Sequence, residues 1–116
     1  MAVEISTLKP LIEGSTITSS AVDLYTVPAS TKATVKYISI HNDHAATTET
    51  VTIWIIPSGG SAGVATKRYE QAIGPKQTYD FSCSHIMNAA AKITVQGATG
   101  AIASISASGF EITNAS

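Results

Sequence analysis

Three histidines, one cysteine, eight carboxylates and seven basic side chains are what this chain offers for chemistry. The tightest grouping is His41-Asn42-Asp43-His44. Two imidazoles and a carboxylate are donor types that hold a divalent ion when a loop folds them together. No fourth ligand lies near in sequence, and the run stands at the end of an apolar stretch, where polar residues belong as a junction to solvent. A second pair is Cys83 and His85. Two residues apart on an extended strand, they share a face, which is how a thiolate–imidazole couple is built. Yet Cys83 continues the apolar row of Tyr79 and Phe81, and a small buried hydrophobe is its simpler role.

The remaining candidates are weaker. The carboxylates are dispersed from Glu4 to Glu111, and no two read as a general acid and base. Lys67-Arg68 is the one adjacent basic pair and reads as a solvated edge. Ser58-Gly59-Gly60-Ser61-Ala62-Gly63 is rich in glycine but lacks the following Lys-Ser/Thr and helix of a phosphate cradle. Asn114-Ala115-Ser116 spells a glycosylation sequon at the very end of a chain with no signal-peptide run, and reads as coincidence. The expectation is a protein that is not an enzyme, with no catalytic residues, no cofactor and no metal.

The elements that would carry these residues are legible in the kind of hydrophobe. Fourteen Ile and seven Val stand against three Leu, and fifteen Thr bring the β-branched residues to 36 of 116. Such side chains are stiff at χ1 and fit a pleated surface better than a helix. The length suits one domain with a core of its own. With 44% hydrophobic and 13% charged residues the chain can fold, and a net charge of −1 with scattered lysines argues against nucleic acid as a partner. One cysteine excludes an intrachain disulfide. No apolar run approaches the ~20 residues of a membrane helix, so no membrane partner is expected. The chain reads as made in a cytoplasm and assembled from there.

Residues 1–14 are less regular than the rest, because Pro10 removes a ladder donor and Gly14 loosens the backbone. They are expected to form an N-terminal arm, with an ordinary edge strand as the alternative; residues 15–116 are expected to form the β-domain. Strands are predicted over 16–19, 22–27, 32–42, 50–56, 64–72, 77–83, 91–96 and 101–112, with turns at Pro28–Thr31, Pro57–Gly63, Gly74–Lys76 and Gly97–Gly100. The apolar phase shifts between Tyr37 and Ile38 and again near Gly109, which predicts bulges. About eight antiparallel strands at this spacing predict an all-β sandwich, jelly-roll-like or Ig-like. Trp54 and Ile56 lie on the face of their strand opposite Val51, Ile53 and Ile55. Either both faces of this strand are covered within the monomer or one meets another subunit, and with Val3, Ile5, Leu8 and Leu11 of the arm they are the candidate interface residues.

Several segments resemble a pattern in small virion proteins of tailed bacteriophages. They are Leu24-Tyr25-Thr26-Val27-Pro28-Ala29, the run from Lys32 to Asn42, Val51 to Gly60, and Ser108-Gly109-Phe110-Glu111-Ile112. The resemblance covers roughly residues 22–112 and has no match for the arm. It implies a β-sandwich located in the virion, most often a capsid decoration or cement protein. Such a protein stabilises the head shell, bound to the major capsid protein and self-associated as a homotrimer. The other reading is a tail- or head-fibre module that recognises host surface glycans. Against it, Tyr25, Tyr69 and Tyr79 fall within strands, and the loop tips hold no aromatic residue.

Overall fold

A computed structural model describes residues 3–98 and 103–115, with side chains described for 6–98 and 103–113. Among the described residues there are eight strands: β1 (Val3–Ile17), β2 (Val22–Thr26), β3 (Thr31–Asn42), β4 (Glu49–Ile56), β5 (Lys67–Ile73), β6 (Thr78–Met87), β7 (Lys92–Gly97) and β8 (Ala103–Ala115). They form two four-stranded sheets, in the orders β1-β8-β3-β6 and β2-β7-β4-β5, with antiparallel pairing throughout. Among the neighbours within these sheets, the pairs β4·β5, β3·β6, β2·β7 and β1·β8 nest around the β4–β5 connection. The chain is thus folded in half and the doubled ribbon rolled over itself, which is the jelly roll rather than the Ig-like arrangement.

Alternation along each strand sends β-branched side chains into the space between the sheets. Val35, Ile38 and Ile40 of β3, Ile105 of β8, Val51 and Ile53 of β4, and Ile93 and Val95 of β7 are all buried there. The expected strands recur with small shifts at their ends. The segment expected to run from Val64 begins its ladder at Lys67. Ile86 and Met87 continue β6, and Asn88–Ala91 closes a turn through the Ala91 amide to the Asn88 carbonyl, 3.0 Å. The candidate turn at 97–100 and the start of the last strand fall partly outside the described residues.

From Val3 onward the segment expected as an arm is strand β1, the edge of its sheet, in register with β8 from Val3↔Ala115 to Ile17↔Ala103. An edge strand tolerates Pro10 because one side of its ladder has no partner. Gly14, at φ +86°, sits within a register irregularity between Ile12 and Ser15. A second irregularity between Pro10 and Ile12 lets consecutive residues, Leu11 and Ile12, both reach the core.

The phase shift in β3 is present, between Val35 and Tyr37, and it leaves Lys36 as the extra residue against β8. The shift expected in β8 is not. Ala103, Ile105, Ala107, Gly109 and Glu111 stay on one inward row. The irregular backbone lies across from Gly109 instead. A Cβ at Gly109 would stand 1.9 Å from the Thr34 carbonyl oxygen, so only glycine lets β3 bulge towards β8 here. This places Phe110 and Ile112 on the outer face of the sheet.

Candidate functional site

His41 and His44 are turned to different tasks. His41 Nδ1 lies 2.8 Å from Thr78 Oγ1 of the neighbouring strand, and its Nε2 is 3.4 Å from Asp43. Asp43 also takes Lys76 at 2.9 Å, and that ammonium, with His41 beside it, holds the carboxyl below its ordinary pKa. His44 points inward, its Nε2 3.6 Å from Glu49. Glu49 is fully buried and accepts the Ala98 amide at 2.9 Å. Between the histidines, Asn42 is buried and lies within hydrogen-bond distance of the carbonyls of Thr47, Ile73 and Gly74, while its Oδ1 accepts the His44 amide. The run stitches the β3–β4 connection to β5. Among the described residues no three His, Cys, Asp or Glu side chains gather as a metal group.

Cys83 and His85 share the inward face of β6, as their spacing predicts, without facing each other. The thiol reaches the Val35 carbonyl at 3.7 Å, and burial pushes its pKa up, which disfavours the thiolate a nucleophile needs. His85 Nε2 meets the Tyr69 hydroxyl at 2.6 Å across the sandwich. Burial, then the nearby Arg68 charge, lowers its pKa below the ordinary 6.5.

β5 and β6 are edge strands of opposite sheets, so their inward residues open to the side of the molecule. Tyr69 packs on Phe81 with centroids 4.6 Å apart, and Tyr79 on Phe81 at 5.5 Å. These rings, with Glu70, Gln71 and Ser82, line a cavity of about 270 Å³. Along the same strands lies a larger cavity of about 580 Å³. Ile55, Pro57, Ile86, Met87 and Ala91 supply apolar lining, and Arg68, His85, Ser58, Ser84 and Asn88 supply polar groups. Both lie on the open β5–β6 side, and the Tyr69–His85 contact joins the lining of one to that of the other.

The expected interface residues separate into groups. Trp54 and Ile56 are 9% and 2% exposed, so the second apolar face of β4 is covered within the chain itself. Part of the cover is the β4–β5 connection. It folds back through the Gly60 amide to the Pro57 carbonyl and the Ile55 amide to the Thr66 carbonyl. Gly60 lies so close to Ile56 that a Cβ there would stand 3.2 Å from its Cγ2. Leu11 belongs to the core. The side chains of Val3 and Ile5 lie outside those described. Leu8 is 70% exposed.

Leu8 has company that the sequence reading did not assign to a surface. The register Leu8↔Phe110, Phe110↔Thr34 and Thr34↔Ile86 runs straight across four strands, so these side chains share the outer face of the β1-β8-β3-β6 sheet. Ile86 is 74% exposed and Phe110 37%. Exposed Tyr37 lies on the next row, Pro10–Ser108–Tyr37–Ser82. Further along the face, Ser104, Ser106 and Ser39 replace the apolar residues. The signal available in the sequence was the pair Phe110 and Ile112, out of phase with Ala103, Ile105 and Ala107.

At the same end of the sandwich, inside, Glu111 accepts the Tyr25 hydroxyl and pairs with Lys9 at 3.1 Å. The Tyr25 hydrogen bond first, and Lys9 after it, hold the Glu111 carboxyl below its ordinary pKa. Burial and that carboxylate push the Tyr25 phenol up.

Comparison with protein-family models and with curated proteins finds no match. Among solved structures, the chain is similar to a protein of Bacillus endospore appendages, described as a family of disulfide-linked pili. The TM-score is 0.52 at 18% identity, over 97% of this chain and 88% of that one. A chain of the T13 IBDV viral particle matches with a TM-score of 0.45 at 9% identity, over 96% of this chain and 30% of that chain. A chain of the infectious bursal disease virus Gx strain matches with a TM-score of 0.38 at 12% identity, over 98% of this chain and 32% of that chain. The first of these shows a shared fold.

Proposed function

We propose that this chain is a structural subunit of an assembled particle, specifically a decoration or cement protein on the head of a tailed phage. In this reading it self-associates as a homotrimer and strengthens the shell by bridging copies of the major capsid protein. The observation that carries the reading is the exposed apolar row Leu8, Phe110 and Ile86, with Tyr37 beside it. Exposed large hydrophobics gathered on one rigid sheet face mark a contact surface. A face built on a β-sandwich presents that surface without an ordering cost at binding. Closed symmetric assembly is the default for such a subunit.

The sequence resemblance to virion proteins and the jelly-roll topology support the same reading. Assembly by disulfide linkage, as in the pili named above, is not part of it. The single cysteine makes at most one disulfide, enough for a pair of copies and not for a chain of them.

Purified protein should bind heads that lack it, at a fixed copy number in threefold groups. Protein that leaves such heads bare and is found only at the tail would overturn the decoration role.

A further inference from the structure

We propose that the open β5–β6 side of the sandwich is a binding site for an acidic carbohydrate, with Arg68 receiving a sugar carboxylate and the Tyr79–Phe81–Tyr69 surface receiving neighbouring sugar rings. The larger cavity, about 580 Å³, lies in the size range of ligand sites, roughly 300–1,000 Å³. Arg68 is the one formal charge in its lining. The guanidinium is steadied by the carbonyls of Ala65 and Lys67, each 3.1 Å from Nη1. Among the described residues it makes no ion pair, since Glu70 is taken by Lys67 at 3.1 Å. A guanidinium held in place and left without a counter-ion fits a carboxylate, whose two oxygens match its planar fork.

Ser58, Ser84 and Asn88 around it supply hydroxyl and amide groups, the partners a polyol needs. His85 adds a neutral imidazole rather than a second cation, because burial and Arg68 both lower its pKa. The adjoining cavity of about 270 Å³ is chemically different. It presents three aromatic rings with Glu70, Gln71 and Ser82 at its margin. Apolar ring faces beside hydrogen-bonding side chains suit a sugar, which has a C–H face and a hydroxyl rim. A peptide carboxylate would use Arg68 but would leave this aromatic surface idle. Ile86 of the Leu8–Phe110–Ile86 row also lines the larger cavity, so the two surfaces meet there, but Arg68 and the three aromatic rings lie outside that row and the proposal does not depend on the assembly reading.

The test is an NMR titration of the full chain with three probes: a uronate oligosaccharide, its carboxyl-reduced neutral form, and an acidic peptide of equal charge. The uronate should move the backbone amides of Arg68, Tyr79 and His85, and bind roughly tenfold more tightly than the neutral sugar, as one charge-assisted contact allows. Arg68→Gln should bring the uronate down to the neutral sugar, and Tyr79→Ala should weaken both sugars. Both side chains are exposed, so unfolding midpoints near the parent's will verify that the variants fold. The proposal falls if no cleft amide moves, if the neutral sugar or the peptide binds as well as the uronate, or if Tyr79→Ala changes nothing.

Discussion

Gly109 shows how much of this fold turns on a single missing Cβ. Its backbone faces the bulged segment of β3 so closely that a methyl group would meet the Thr34 carbonyl at 1.9 Å. Neither partner is a flexible side-chain tip, so the clash is relieved only by moving a central strand pair. Gly109→Ala should cost about 4 kcal/mol or more, in the range reserved for disrupted backbone packing. Denaturant unfolding measures it, and a loss under about 1 kcal/mol would contradict the close approach. His85 carries a different kind of dependence. Its pKa is lowered on folding by burial and then by Arg68. Below the ordinary value of 6.5 the unfolded chain takes up a proton that the folded chain resists, so stability is lost as pH falls through that region. Between about pH 7.5 and about pH 5.5 the parent should therefore lose more unfolding free energy than His85→Phe. Parallel pH profiles for the two proteins would contradict the assignment.

The strands were legible because Ile, Val and Thr alternate at the right period, and Pro28, Pro57 and Pro75 lie at the breaks between them. Which face each strand turns inward was only partly legible. Trp54 and Ile56 have the pattern of a second apolar face, but whether chain or solvent meets that face depends on non-strand segments such as the connection over 57–66, whose path has no periodicity to read. The same limit applied to the aromatic cleft. Tyr69, Tyr79 and Phe81 read as strand residues, and only the strand order puts β5 and β6 at sheet edges where their inward faces are open. The His41–His44 run was readable as a junction, whereas its link to the buried Glu49 depends on β4 lying beside it. For Trp54 the structure sends the expectation towards stability. Trp54→Ala should cost about 3–5 kcal/mol, the range for truncating a large buried aromatic. Trp54→Phe should cost much less, because the indole Nε1 is buried without a partner among the described residues and its removal relieves an unmet hydrogen bond. Loss of self-association with unchanged stability in Trp54→Ala would restore the interface role.

For the whole molecule, the division of labour is between two sheet faces. One face of the β2-β7-β4-β5 sheet keeps Trp54 and Ile56 buried, with the chain's own β4–β5 connection packed on Ile56, and the outer face of the β1-β8-β3-β6 sheet keeps its hydrophobic residues in the open. A subunit that works by surface contact needs the second arrangement. Leu8→Asp and Ile86→Asp replace side chains that are 70% and 74% exposed, so each should leave folding within about 0.5 kcal/mol of the parent. If the chain forms the proposed homotrimer, the same variants should be monomers in light scattering; an oligomer of unchanged size would place the self-contact elsewhere. A decoration protein must attach to a shell. Heads lacking this protein are mixed with the purified parent and with the Leu8→Asp, Ile86→Asp double variant, and bound copies are counted. The account predicts saturable binding of the parent in multiples of three and little binding of the variant. Bare heads with the parent, or equal binding of both proteins, would contradict it.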